Sequence, residues 1–155
     1  MPMHVTKAYY SVSALAEFAS EVPYLWYHFF LRLGLGYVFL YTSINMLVFG
    51  ILDYPTGGLA DRYGRRRVYA FGMALIGCNY LLASLYASTT TVILAGLLAG
   101  VGAALRSGSL DAWIVDKLDE IGMKGEMDRI FGRQTSFALV GDVLAGISSS
   151  SITFI

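Results

Sequence analysis

The chain has 155 residues, of which 56% are hydrophobic and 14% are charged, and its mean hydropathy is +0.59. This composition is too apolar for an ordinary soluble domain and predicts a membrane protein. Eleven basic and eleven acidic side chains cancel, which argues against a nucleic acid as partner. The single cysteine, Cys78, excludes a disulfide framework and a CxxC metal site, and we interpret it as a small buried apolar side chain.

Five apolar segments of about 20 residues or more are long enough to cross a hydrocarbon core of roughly 30 Å as helices. Helices are favoured because no water satisfies backbone groups at that depth. The predicted fold is therefore all-α, a polytopic helical membrane protein that occupies residues 1–155. The predicted spans are 9–30, 36–55, 68–87, 92–115 and 134–155.

The basic residues predict the orientation of these spans. If the spans alternate, nine of the eleven lysines and arginines fall on one side. The positive-inside rule places that side in the cytoplasm, together with the N-terminus. Arg32 alone marks the outer side, in a short turn, and the second outer turn is uncharged.

The most polar stretch between two spans is DYPTGGLADRYGRRR, Asp53 to Arg67. In the predicted cytoplasmic loop, Gly57 and Gly64 would let the backbone turn tightly. Asp61 is predicted at the start of the next helix, where the helix dipole favours an anion, and Arg65 could reach a carboxylate with two donors. The alternative is a solvated basic loop that only sets the topology.

This stretch resembles the G-x-x-x-D-R-x-G-R-R signature between the second and third helices of major facilitator superfamily transporters. The preceding DYPTG is similar to the E-x-P-T-G of many members, with Asp53 in place of Glu, and residues 107–116 are similar to the fourth-helix pattern. The resemblance covers nearly the whole chain. The matching signature residues are Gly57, Asp61, Arg62, Gly64, Arg65 and Arg66.

The resemblance implies a secondary transporter of the cell membrane that moves a small solute by alternating access, with protons as the expected coupling ion. It implies no enzyme activity and no cofactor. In this family the signature forms a cytoplasmic latch, in which the aspartate contacts the other half and the second arginine pairs with an acid on helix four. Here these residues would be Asp61, Arg65 and Asp116.

Five spans are fewer than the twelve of the family, which predicts a truncated N-terminal portion lacking the sixth helix and the second half. The alternative to a transporter is a non-transporting membrane fragment that needs a partner chain or self-association to supply that half. An enzyme of the CDP-alcohol phosphotransferase kind is rejected, because its metal-binding aspartates at helical spacing are missing after Asp61.

Charged residues inside the predicted spans are the candidates for coupling transport to protons or substrate, because such groups are costly in lipid. Glu17 and Glu21 are four residues apart, on one face of the first helix. Low dielectric and a like-charged neighbour favour protonation of one of them. Arg106 is expected to pair with Glu21 or Asp142, as a fixed ion pair or in coupling. No metal site is predicted.

Overall fold

The computed structural model describes residues 2–21, 30–85 and 88–153, and the regular structure in these ranges is entirely helical. The predicted all-α class is confirmed. The α-helices are α1 Pro2–Glu21, α2 Leu35–Tyr63, α3 Arg65–Leu85, α4 Thr89–Arg106, α5 Ser109–Glu120 and α6 Met127–Thr153, with a 3-10 turn at Lys124–Glu126. The chain divides into two compact units, Leu25–Asp111 and Met1–Tyr24 with Ala112–Ile155.

Helix α2 runs past the end of the predicted second span. It contains Pro55, the predicted end of that span, and continues as a helix to Tyr63. The proline removes one backbone donor, but helices tolerate this where neighbours supply other partners. Next to it, the Thr56 hydroxyl donates to the Ala104 carbonyl at 2.9 Å, which ties this part of α2 to α4.

The predicted fourth span, 92–115, is two helices. Helix α4 ends at Arg106 and α5 begins at Ser109, with Gly108 between them at φ +66°. Hydropathy averaged over a span-length window misses this break, because apolar residues continue on both sides of the short polar segment Arg106 to Ser109. The other helices in the described ranges begin earlier than predicted, since hydropathy reports only the apolar part of a helix. Residues 22–29, 86–87 and 154–155 of the predicted spans lie outside the described ranges.

In the unit Leu25–Asp111, α2 and α4 run parallel. A methyl group built on Gly96 would lie 3.1 Å from the Tyr41 carbonyl, and one on Gly100 would lie 2.7 Å from Val48 Cβ. The contacts therefore move in the same direction along both helices, as parallel helices require. Gly96 and Gly100 thus form a face for close helix packing, because only glycine leaves room for the partner helix.

Helix α3 runs antiparallel to α4 in the same unit. The backbones touch where a methyl group on Gly72 would lie 2.8 Å from the Gly102 carbonyl, and the reverse distance is also 2.8 Å. Further along α3, Ala83 shares a buried cluster with Val92 near the start of α4. Within this unit, α2, α3 and α4 thus alternate in direction.

In the other unit, α1 and α6 run parallel. The rings of Tyr10 and Phe137 stack with centroids 5.2 Å apart. Four residues further along both helices, a methyl group built on Gly141 would lie 2.7 Å from the Ala14 carbonyl. Glycine at this position lets the two backbones approach closely.

Large apolar side chains on α2 face outward. The interior of the same unit contains glycines, alanines, some large apolar side chains such as Phe30 and Val92, and polar groups such as Asn79, which is 1% exposed. Among the described residues, two segments, Leu35–Tyr63 and Thr89–Glu120, are long and apolar enough to cross a membrane, so the five spans stay a prediction. Cys78 is exposed, so its interpretation as a buried side chain is wrong. The exposed large apolar residues in the first two-thirds of α2 are Leu35, Phe39, Met46, Leu47, Ile51 and Tyr54.

Candidate functional site

The connection between α2 and α3 consists of one residue, Gly64. Its φ of +93° and ψ of +122° end α2, a conformation that L-residues rarely adopt. The Gly64 N–H donates to the Ala60 carbonyl at 3.0 Å, and the Gly64 carbonyl accepts from the Arg67 N–H at 3.0 Å. The predicted loop is therefore a sharp break between two helices, and we call residues 61–65 the α2–α3 junction.

Packing holds this junction at the ends of three helices. Ala60 near the end of α2, Val68 near the start of α3 and Leu105 near the end of α4 form a buried cluster. Because the cluster joins the two helices on either side of Gly64, a change in the angle between α2 and α3 would disturb it. The junction is thus fixed on its inner side and open on its outer side, where Asp61 and Gly64 are exposed.

An ion pair crosses the junction. An Arg65 guanidinium nitrogen lies 3.1 Å from Asp61 Oδ1, with the Arg65 side chain 25% exposed and the Asp61 side chain 67% exposed. Asp61 belongs to the last turn of α2, so its predicted place at the start of the next helix is wrong. The carboxylate lies at a helix C-terminus and the guanidinium at a helix N-terminus. Both positions are unfavourable with respect to the helix dipole, which prefers cations at the C-terminus and anions at the N-terminus. The ion pair offsets both unfavourable interactions.

Of the remaining signature residues, Gly57 was predicted to lie at the turn, and it does not. Gly57 lies inside α2 and is exposed, and a methyl group built on it would meet no atom within 4 Å. Its predicted role in a tight turn is wrong, because Gly64 alone makes the break. The Arg62 guanidinium carbon lies 5.6 Å from the ring centre of Tyr63, and Arg66 is exposed at the start of α3.

Asp116, the predicted acid partner of Arg65, is exposed in the middle of α5. It belongs to the other compact unit, so its pairing with Arg65 stays a prediction. The contact of Asp61 with a second half of the protein is likewise still a prediction.

The candidate coupling residues divide between the two units. Glu17, Glu21 and Asp142 belong to one unit and Arg106 to the other, so the pairing of Arg106 with an acid stays a prediction. Glu17 and Asp142 are half-buried, and the Glu21 side chain lies outside the described part. Arg106 is the last residue of α4 rather than a residue in the middle of one continuous helix. At this helix end the dipole favours a cation.

Asp142 has an unusual environment for a charged residue. Its Oδ1 is buried and has no hydrogen-bond partner within the described ranges, and the same is true of the Ser13 hydroxyl, whose residue is 2% exposed. Buried polar atoms without partners are rare and costly. Each of these two atoms would therefore be stabilised by a bound ligand, ion or water.

Two interhelical hydrogen bonds hold α2 against its neighbours. Tyr41 donates its hydroxyl to the Asn79 side-chain oxygen at 3.4 Å between α2 and α3, and Thr56 bonds to Ala104 as described above. A polar residue inside an apolar run was the only signal available for Asn79. Which helix would supply its partner depends on how the helices pack.

No protein-family model, curated protein or solved structure matches the chain. Its function is therefore argued from its own residues and their arrangement.

Proposed function

We propose that the chain forms part of a secondary transporter of the cell membrane that resembles the N-terminal half of a major facilitator superfamily protein. It would move a small solute by alternating access, with its N-terminus in the cytoplasm. Transport would be coupled to protonation of the carboxylates within the bilayer. No enzyme activity is proposed.

The distribution of apolar side chains carries this proposal. On α2 the large apolar residues lie outside, while glycine backbones and the Tyr41–Asn79 hydrogen bond lie inside. Water would penalise this exposed apolar surface, whereas lipid would not. Between helices in lipid, close glycine packing and hydrogen bonds are the expected attractive forces. A bilayer is the solvent in which this arrangement is stable.

The directions of the helices give further support. Within one unit α2 and α4 run parallel with α3 antiparallel, and within the other unit α1 and α6 run parallel. These are the relations that an alternating series of five spans requires, if α1 and α6 are the first and fifth spans. The basic residues at the α2–α3 junction would then face the cytoplasm.

The junction supports a role in conformational change. Its ion pair is partly exposed, because the Asp61 side chain is 67% exposed, so solvent competes for that charge and the pair can open at little cost. Gly64 concentrates the change of chain direction in one residue. In an alternating-access cycle, Asp61 could leave Arg65 for a partner on the second half, as the resemblance suggests.

Cysteine labelling tests the membrane topology. In a Cys78→Ala background, which removes the exposed native thiol, single cysteines replace the exposed residues Arg66, Thr90 and Asp128. We expect a membrane-impermeant maleimide to label intact cells only at Thr90→Cys and to label the other two after the membrane is permeabilised. Labelling of Arg66→Cys in intact cells would overturn the proposed orientation, and protein found only in the soluble fraction would overturn membrane insertion.

Chromosomal substitutions test transport. We expect Asp61→Asn and Gly64→Val, introduced at the native gene, to abolish the movement of at least one class in a panel of labelled sugars, amino acids and organic cations. Gly57→Ala serves as the matched control and should leave that movement unchanged. Protein levels in the membrane are measured in parallel. If both variants move every solute class that the wild type carries at the normal rate, the proposed role of the junction is contradicted.

A further inference from the structure

Ser13 and Asp142 lie beside the point at which α1 and α6 come closest. Ala14 and Gly141 mark this point, since a methyl group on Gly141 would lie 2.7 Å from the Ala14 carbonyl. Ser13 precedes Ala14 by one residue and Asp142 follows Gly141 by one residue, a rotation of about 100° in each case. Because the helices are parallel, these opposite rotations bring both side chains to the same flank of the helix pair.

A ring contact supports this placement. Tyr9 lies one turn before Ser13, and Phe131 lies about three turns before Asp142 on the same side of α6. Their ring centroids are 6.2 Å apart, so these sides of α1 and α6 face each other. Glu17 lies one turn after Ser13 and shares this side of α1. We call the side defined by Ser13, Glu17 and Asp142 the Ser13 flank.

The chemistry of the Ser13 flank fits a cation. The Ser13 hydroxyl and Asp142 Oδ1 are both buried and both without hydrogen-bond partners in the described part of the chain, and Glu17 adds a second half-buried carboxylate. Hydroxyl and carboxylate oxygens are the ligands that hard cations prefer.

The small number of ligands at the site favours a singly charged ion. No group of three or more His, Cys, Asp or Glu side chains is placed to hold a metal within residues 2–21, 30–85 and 88–153. Divalent ions need more oxygen ligands, and Mg²⁺ gives up its water reluctantly. The cost of removing an ion from water also rises with the square of its charge in the Born picture. Few ligands in a buried place therefore favour a monovalent cation.

We propose that Ser13, Glu17 and Asp142 bind Na⁺ at the Ser13 flank. The inference deepens the proposed function and rests on it for the position of the site within the membrane. Binding itself requires no transport, so it can be measured on the protein at equilibrium.

Thermal unfolding of the purified full chain in detergent tests the site. NaCl replaces choline chloride at constant total chloride, and Tm is followed as a function of Na⁺. We expect a saturable rise in Tm, of roughly 3–6 °C when Na⁺ is about ten times its dissociation constant. Because the assay involves no solute and no gradient, its failure is separate from failure of the labelling and uptake experiments.

Matched variants identify the ligands. Ser13→Ala and Asp142→Asn should lose the Na⁺-dependent rise in Tm, while Ser11→Ala on α1 and Asp128→Asn on α6, both at exposed positions, should keep it. Ser13→Ala removes a buried hydroxyl that has no partner, so the fold itself should not weaken. A rise that persists in Ser13→Ala, or an equal Tm in Na⁺ and choline for the unmodified chain, would overturn the site.

Discussion

Gly64→Ala and Gly57→Ala should change stability in opposite directions, although both replace an exposed glycine within eight residues of each other. At Gly64 φ is +93° and a methyl group would meet no atom within 4 Å. The whole cost is therefore that of the backbone conformation, about 1–3 kcal/mol. At Gly57 the backbone is helical and equally open, so alanine should stabilise by about 0.5–1 kcal/mol.

Thermal unfolding in one detergent measures both variants. With a shift of roughly 2–4 °C per kcal/mol for a chain of this size, Gly64→Ala should lower Tm by roughly 2–12 °C and Gly57→Ala should raise it by roughly 1–4 °C. Gly58→Ala is a second control, since Gly58 is also helical and open. If Gly64→Ala unfolds at or above the Tm of the unmodified chain, the chain does not turn at Gly64. A lower Tm for Gly57→Ala would instead indicate that the chain turns near Gly57, as predicted from the sequence.

Three further predictions concern packing, hydrogen bonding and charge. Gly102→Ala should destabilise by about 1–3 kcal/mol in chemical unfolding, because the new methyl meets the α3 backbone, whereas Gly77→Ala at an open position should not. Thr56→Val should cost about 1 kcal/mol through its lost interhelical hydrogen bond, and an unchanged unfolding midpoint would contradict that bond. Arg65→Lys and Asp61→Asn should each change stability by less than about 1 kcal/mol, since the pair is exposed. A larger loss would show that the pair holds the fold rather than serving conformational change.

Hydropathy predicted that the chain is helical and located most of its helices. An apolar segment of membrane length favours a helix because its backbone groups find no water to bond with at that depth. Hydropathy did not predict the ends of those helices. Pro55 and the glycines of the signature suggested a loop, yet α2 continues to Tyr63 because Thr56 and Ala60 pack and bond against α4. In the opposite case, the polar residues Arg106 to Ser109 lie where α4 ends, but the predicted fourth span includes them in one continuous segment.

The candidate site divides in the same way. The sequence determined that Asp61 and Arg65 are four residues apart and that Glu17, Arg106 and Asp142 are charges in apolar surroundings, since spacing and composition are properties of the chain alone. Only the tertiary structure decided that Gly64 separates two helices between Asp61 and Arg65. It alone also brought Ser13 and Asp142, 129 positions apart in the chain, to one flank of two parallel helices. That proximity depends on the close contact of Gly141 with Ala14, and no local pattern in the sequence specifies which helices meet there.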